Sequence, residues 1–206
     1  NGFSNIDYNI LIELDSIKSD YHKYKSIIIS RKTEKIEDLK KITNLKLLYF
    51  DGTGSELDLT GKIAVDSLHT IVFEKIKYFP KGLKNEIKYF RKLIVEDVVG
   101  LDLNTFLIGY KNLSFLKIVS CENLILTDIK VVKLMFHSCD TTVAREILIK
   151  KCKTIELVES NFLLVNKIQL REECEKLVIG YCSNVLINNI FIKTLFDRKI
   201  EHIEIW

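Results

Sequence analysis

The sequence predicts a single α/β domain in which successive, parallel coils of the chain stack on one another. A recurring string, best seen in Leu113-Ser-Phe-Leu116-Lys-Ile118-Val-Ser-Cys121-Glu-Asn123, returns about once every 22 residues. Each copy centres on two apolar residues separated by one other residue, which is the alternation of a strand with one buried face. The spacing varies from about 18 to about 26 residues, which predicts return paths that mix short helices with extended segments and turns.

Roughly nine apolar pairs define the predicted strands. In each pair the two side chains point inward, and the residue between them points outward. The pairs are Ile27-x-Ile29, Leu45-x-Leu47, Ile71-x-Phe73, Leu93-x-Val95, Leu116-x-Ile118, Leu134-x-Phe136, Ile155-x-Leu157, Leu177-x-Ile179 and Ile203-x-Ile205. Buried-type residues three positions before and after most pairs indicate where the chain turns into and out of each strand.

The string from Leu113 to Asn123 matches the consensus LxxLxLxxCxN nearly position for position, and the chain from about Tyr24 to Trp206 resembles the leucine-rich-repeat family. The resemblance implies an α/β solenoid with a curved parallel β-sheet on its concave face and short helices and turns on its convex face. It also implies a general role in binding proteins, and it leaves the ligand open. The consensus asparagine is missing from most copies, so we expect irregular repeats.

Two segments follow from this pattern. Residues 1–26 are predicted to form an N-terminal cap, because Ile10, Leu11, Leu14 and Ile17 follow the spacing of a short amphipathic helix. Residues 27–206 are predicted to form the solenoid, and together the two segments make one domain.

Composition argues against two classes of partner. Lys and Arg number 31 and Asp and Glu 28, and the net charge of +3 comes from dispersed lysines without the basic stripe that nucleic-acid binding needs. The sequence therefore predicts no nucleic-acid partner. No apolar stretch approaches the roughly 18 residues of a membrane span, so no membrane insertion is expected.

Cysteines and histidines indicate neither a metal nor a cofactor site. Cys121, Cys139 and Cys182 fall at the consensus cysteine position, whereas Cys152 and Cys174 fall at the leading apolar position, so all five are predicted to be buried and reduced. The histidines lack ligand spacing, and a buried Cys139 would make a poor nucleophile. We therefore predict a non-enzymatic protein without cofactors.

Two short motifs favour ordinary structural roles. Asp51-Gly-Thr-Gly54 lacks the following lysine of a phosphate-binding loop and is predicted to form a tight turn. Asn112 opens the one glycosylation sequon, and its use requires exposure in the preceding loop.

The predicted binding surface is the outward side of the strands. A solvated sheet face would be polar, yet apolar residues concentrate here around the middle strands, which favours a contact site for a protein. The alternative is that β-branched residues are good strand formers and that Lys117 and Lys133 cover them. The candidate residues are Val72, Ile94, Phe115, Lys117, Val119, Met135, His137, Glu156, Val158 and Val178.

The last predicted strand suggests a second kind of contact. Ile203, Ile205 and Trp206 would lie on an uncovered edge strand, which tends to pair with another chain. This favours, as the alternative function, a structural or coat subunit that forms homo-oligomers through this edge. A third class, an intracellular adaptor, would need an attached recruitment motif, which residues 1–26 lack.

The first residues and the amino-acid composition suggest the biological setting of this protein. The chain opens at Asn1-Gly-Phe-Ser4 without methionine, which is consistent with a mature chain after removal of a signal peptide or with a start at a domain edge. Heavy use of Ile, Lys and Asn with one Pro is typical of AT-rich genomes. The preferred expectation is a secreted pathogen protein that acts on a host, and a cytoplasmic protein is the alternative.

Overall fold

The computed structural model describes the N-terminal half of the chain almost continuously and the C-terminal half mainly through its strands. The described residues are 11–110, 113–122, 124–126, 129–139, 143–149, 152–158, 164–170, 174–180, 186–187, 190–192 and 202–205. Beyond residue 139 the strands are described by their backbone, and side chains are described at Ile155 and Glu156.

Strands form most of the regular structure. In chain order they are β1 (Ile12–Glu13), β2 (Ser26–Ser30), β3 (Leu47–Asp51), β4 (Ser67–Glu74), β5 (Tyr89–Glu96), β6 (Phe115–Val119), β7 (Ile125–Leu126), β8 (Ile129–Lys130), β9 (Lys133–His137), β10 (Val143–Ile149), β11 (Cys152–Val158), β12 (Leu164–Leu170), β13 (Cys174–Gly180), β14 (Leu186–Ile187), β15 (Ile190–Ile192) and β16 (His202–Ile205).

Two all-parallel sheets contain these strands. The larger sheet has ten described strands in the order β1-β2-β3-β4-β5-β6-β9-β11-β13-β16, so its neighbours follow one another along the chain. The smaller sheet has the order β14-β12-β10-β7, with β15 also paired to β12 and β8 also paired to β10. The strands of the smaller sheet therefore lie in the return segments between strands of the larger one.

Among the described residues the helices are few and short, and all of them precede β6. Three are 3₁₀ segments, Leu14–Ser16, Tyr21–Lys23 and Ile36–Lys41. Two are α-helices, α1 (Leu83–Glu86) and α2 (Leu103–Leu107). The protein is thus α/β with parallel sheets and short helices, as the sequence predicted at this level.

The core lies behind one face of the larger sheet. One row of the sheet contacts this core, and six of its successive members are fully buried, namely Ile27, Leu48, Ile71, Leu93, Leu116 and Leu134. Their partners two residues later form a second row. Eight of the nine predicted pairs take equivalent positions in the strand ladder, from Ile27-x-Ile29 to Ile203-x-Ile205.

The predicted pair Leu45-x-Leu47 is wrong. In the structure Leu48 and Phe50 pair with Ile27 and Ile29 and are fully buried, whereas Leu47 is half-buried on the other face. Apolar residues occur at both odd and even positions of this segment, so the sequence allows either set to face the core. Pairing with β2 and β4 turns Leu48 and Phe50 towards the core, because a strand presents only alternate residues to one face.

The α-helix expected within residues 1–26 is not found in residues 11–26, which the structure describes. This segment forms β1, which pairs with β2, and two 3₁₀ turns. Leu14 and Ile17 are buried as expected, because a spacing of three residues fits a 3₁₀ turn as well as an α-helix. Asp15 accepts hydrogen bonds from the amides of Glu34 and Lys35 at 2.8 Å each. These bonds anchor the first 3₁₀ turn to the segment that follows β2.

A repeated backbone turn ends five successive strands. The residue after each strand has a left-handed conformation, with φ between 49° and 62°, at Gly52, Lys75, Asp97, Ser120 and Ser138. The amides of the first four donate to the carbonyl at the end of the following strand at 2.8–3.1 Å. The next residue is buried in every case, namely Thr53, Ile76, Val98, Cys121 and Cys139.

Candidate interaction surface

The candidate surface is the side of the larger sheet that faces away from the core, called the outer face below. It corresponds to the predicted concave side. Pairing register arranges its residues in three rows that run across the strands. The middle row is Ile28, Tyr49, Val72, Ile94, Lys117, Met135, Glu156, Val178 and Glu204.

Two candidate residues on the outer face are not exposed as predicted. Val72 is 0% exposed and Phe115 is 4% exposed, although neither belongs to the hydrophobic core cluster. Val72 lies between the larger side chains of Tyr49 and Ile94 on adjacent strands, which pack over it at the short spacing of a sheet. The expectation of an exposed apolar surface is therefore wrong at these two positions.

Phe115 is covered by a lysine, as the alternative interpretation anticipated. Lys133 lies on the adjacent strand, with its Nζ 5.9 Å from the centre of the Phe115 ring. The same Nζ forms an ion pair of 3.0 Å with Glu156 on the following strand. A cation over an aromatic face and an opposite charge beside it hold this long side chain across the sheet.

The other described candidates are half-buried. Six side chains share this intermediate exposure and form the accessible part of the predicted site, namely Ile94, Lys117, Val119, Met135, His137 and Glu156. Val158 and Val178 take register positions in β11 and β13, and Ile203 and Ile205 in β16, through their backbone alone. Trp206 lies outside the described residues, as do Asn112, which opens the predicted sequon, and Cys182.

An acidic row follows the ends of the strands on this face. Asp51, Glu74 and Glu96 are register partners on three adjacent strands. Glu74 accepts hydrogen bonds from the Tyr49 hydroxyl and from Lys75 Nζ, and Lys75 also lies 3.9 Å from Asp97. Like charges on adjacent strands repel one another, and Lys75 offsets part of that repulsion.

Glu96 is the least compensated member of this row. It is half-buried, and in the part of the chain that the structure describes its carboxylate forms neither a hydrogen bond nor an ion pair. Burial raises the pKa of Glu96 above its ordinary value, and the charges of Glu74 and Asp97 raise it further, against the opposing effect of Lys117. Ionisation of Glu96 is therefore electrostatically unfavourable in the free protein.

Basic residues concentrate where the same strands begin. His69 has a lowered pKa because of partial burial and, to a lesser extent, the charges of Lys92, Arg91 and Lys46. The N-terminal strands of the larger sheet therefore run from a basic edge, where they begin, to an acidic edge, where they end. A surface with this arrangement favours a partner whose own charges are complementary in one orientation.

Sequence reasoning missed Tyr49, Glu74 and Glu96. Tyr49 was missed because the second pair was placed three residues early, at Leu45 and Leu47, which hid the outward orientation of Tyr49. The two glutamates were readable from the sequence, since each lies one residue after an apolar pair ending in Phe73 or Val95. The search for apolar contact residues passed over them.

The most exposed large hydrophobic residues lie elsewhere. Among the described residues these are Tyr78, Tyr89, Val99 and Ile108, and none belongs to the middle row or to the acidic row. Ile108, at 70% exposure, directly follows α2. It therefore offers a control position for substitutions on the outer face.

The two cysteines with described side chains are buried thiols. Cys121 donates to the carbonyls of Val119 and Val95, at 3.1 Å and 3.6 Å, and Cys139 donates to those of Ile118 and His137, each at 3.4 Å. Burial raises the pKa of Cys121 to about 12. This thiol is protonated at neutral pH and is a weak nucleophile.

Comparisons with protein-family models, with curated proteins and with solved structures give no match to this chain. Within the described residues, no helix has the length and apolar character required to cross a bilayer. The same residues contain no group of three or more potential metal ligands.

Proposed function

We propose that this chain is a non-enzymatic leucine-rich-repeat protein that binds a protein partner through the outer face of its larger sheet. The repeated left-handed turn, the hydrogen bond that accompanies it and the sequential parallel ladder support the repeat assignment. A rigid ladder would present outward side chains with little conformational entropy left to lose on binding. The preferred setting is secretion by a pathogen towards a host target.

Glu96 is the observation on which the proposed surface depends. A half-buried carboxylate with a raised pKa and no ion pair among the described residues is costly in the free protein. A cationic side chain from a partner would relieve that cost. Ile94 lies two residues away on the same face, and Met135 and Val119 lie on the next two strands, so apolar contacts would surround the charge.

The proposed partner therefore presents a basic residue flanked by apolar ones. This differs from the largely apolar site that the sequence suggested, because Phe115 and Val72 are already covered within the protein. Lys117 and the basic edge favour acidic residues farther along the same partner.

The test compares capture from candidate host extract by the wild type, Met135→Glu, Glu96→Lys and the control Ile108→Glu. Met135→Glu and Ile108→Glu make the same charge change, one on the outer face and one away from it. All three variants should fold, which circular dichroism and a thermal melt would check. The proposal expects a partner captured by the wild type and by Ile108→Glu but lost from both outer-face variants. Equal capture by all four proteins would contradict it.

A self-associating subunit is the second candidate. Among the described strands, β16 pairs with β13 on one side only, and an edge strand is a template for pairing. Light scattering across a range of concentrations would detect oligomers that Ile205→Lys abolishes. A monomer at all concentrations would remove this candidate.

A further inference from the structure

A cavity of about 310 Å³ lies where three neighbouring strands end. Its lining comes from Arg31, which follows β2, from residues 53–56, which follow β3, and from Lys77 and Tyr78, which follow β4. The volume is at the lower limit of ordinary ligand sites, which occupy roughly 300–1,000 Å³. The cavity is separate from Glu96 and Met135, which lie on later strands.

Thr53 is more polar than the residues at the equivalent position after the following strands of the larger sheet. The equivalent residues of the next four strands are Ile76, Val98, Cys121 and Cys139, all apolar or weakly polar and all buried. Thr53 is equally buried, at 2% exposure, yet its Oγ1 has no hydrogen-bond partner among the residues that the structure describes. Cys121 and Cys139, by contrast, direct their thiols to backbone carbonyls. An unpaired buried hydroxyl costs free energy that valine would not, so this threonine suggests a ligand at the cavity that it lines.

Two cationic side chains, Arg31 and Lys77, line the same cavity as Thr53. Arg31 donates from Nε to the carbonyl of Gly52, which orients its guanidinium beside the loop. Neither Arg31 nor Lys77 has an ion pair among the residues that the structure describes, although both line the cavity. A planar guanidinium and a compact ammonium together are suited to the oxygen atoms of a doubly charged anion.

Glu56 is the opposing charge at this site. Its Oε2 lies only 2.7 Å from the position that a Cβ would take at Gly54, so the carboxylate lies directly against the glycine. A side chain at position 54 would displace it. The carboxylate lines the same cavity as the two cations, and its negative charge opposes any incoming anion.

We propose that this cavity binds a tetrahedral oxyanion, a phosphate or sulfate group. Arg31 and Lys77 supply the positive charge, and Thr53 Oγ1 donates a hydrogen bond to one oxygen. The ring of Tyr78, 64% exposed at the rim, contacts the organic part of a phosphate or sulfate ester. Glu56 weakens binding because its negative charge repels the anion.

The experiment is a titration of ¹⁵N-labelled protein with inorganic phosphate, inorganic sulfate, phenyl phosphate and phenyl sulfate at constant ionic strength. Saturable shifts in the amides of residues 52–56 and 77–78 are expected. The two anions within each matched pair separate a preference for phosphate from one for sulfate, and the phenyl esters test the contribution of Tyr78. Methyl glucoside serves as the neutral probe, and shifts with it in place of the anions would overturn the proposal.

Three substitutions test the assigned roles. Thr53→Val, which keeps the shape, should weaken binding about twofold to tenfold without lowering stability. Arg31→Gln should weaken it at least as much, whereas Glu56→Gln should tighten it. Lys81→Gln, which removes an exposed lysine paired with Asp58 outside the cavity, is the matched control and should leave binding unchanged. Unchanged affinity in Thr53→Val, or weaker binding in Glu56→Gln, would overturn the assignment.

Discussion

The two halves of the protein share the larger sheet but connect its strands differently. Up to β6 the return segments contain 3₁₀ turns, α1 and α2. From β7 onward the return segments contribute the strands of the smaller parallel sheet. The comparison shows that the strands of the larger sheet do not determine the structure of the segments that connect them.

Local sequence explains the difference. The segment Val143–Ile149 reads VAREILI and Leu164–Leu170 reads LVNKIQL, in which branched apolar residues favour extended backbone. Before α2, in contrast, Asp102 accepts a hydrogen bond from the amide of Asn104 at 2.9 Å and so caps the helix.

The two halves also differ in what stabilises the return path. In the N-terminal half an aromatic cluster fills the space between the helices and the sheet. Phe73 lies at its centre, with ring centroids 5.5 Å from Phe50, 5.3 Å from Phe79 and 5.1 Å from Phe106. In the C-terminal half, ladder pairing of β10 with β12 joins successive return segments directly.

The largest effect is expected from Phe73→Ala. Removing a fully buried ring from the centre of the cluster should lower the free energy of unfolding by about 3–5 kcal/mol, through lost burial and the cavity that remains. Chemical denaturation measures this loss, and Phe73→Leu should lose distinctly less. A loss below about 1 kcal/mol would show that the cluster does not stabilise the N-terminal half.

A proline in β10 tests the other half. Glu146 pairs with Lys167 of β12, within a strand that has neighbours on both sides. Glu146→Pro removes a ladder amide and should cost about 3 kcal/mol or more, whereas Glu146→Ala keeps the amide and should cost little. Equal denaturation midpoints for the two variants would mean that this return segment is not a sheet strand.

Gly82 tests the close packing of adjacent connecting segments in the N-terminal half. A Cβ there would lie 2.5 Å from Thr60 Oγ1 and 2.7 Å from Thr60 N, and the backbone has φ of +79°. Gly82→Ala should therefore cost about 2–3 kcal/mol in a denaturant titration. The control is Gly109→Ala, where φ is +96° but no atom lies within 4 Å, and backbone strain alone should cost about 1 kcal/mol. Equal losses would show that contact with Thr60 adds nothing.

The smallest effect is expected at Glu96. Because its pKa is raised in the folded state, the protein retains this proton more strongly than the unfolded chain does, and stability falls as pH rises through the folded pKa. Glu96→Gln should raise the free energy of unfolding at pH 7 by less than about 1 kcal/mol, and the gain should disappear below the ordinary glutamate pKa. Denaturation at pH 7 and pH 3.5 measures the difference, and a gain that persists at low pH would have another cause.

Much of the larger sheet could be predicted from the sequence, because apolar pairs with period two allow few pairing registers between neighbouring strands. Eight pairs from Ile27-x-Ile29 onward lie in the ladder as aligned. The exception is the segment around Leu45 and Leu48, which has apolar residues at both odd and even positions. Only its pairing with β2 and β4 could determine which of them face the core. The smaller sheet was foreseen only as extended segments, since pairing between segments about twenty residues apart leaves no local signal.

The outer face was harder to predict. The sequence identified its middle row at most strands, but exposure depends on the neighbours across strands. Val72 is covered by Tyr49 and Ile94, and Phe115 by Lys133, which no single strand reveals. The raised pKa of Glu96 likewise depends on its neighbours, first through burial and then through the charge of Glu74 on the adjacent strand.

The central claim is that the connecting segments contain short helices in the N-terminal half and strands of the smaller sheet in the C-terminal half. A ¹⁵N-edited NOE measurement on Glu146 and Ile147 of β10 tests this claim most directly. The account predicts contacts from their amides to Lys167 and Ile168 of β12 in parallel register, while Leu83–Glu86 shows the sequential amide contacts of a helix. Sequential helical contacts across Val143–Ile149, or strong Hα–Hα contacts between β10 and β12 that only antiparallel pairing produces, would contradict it.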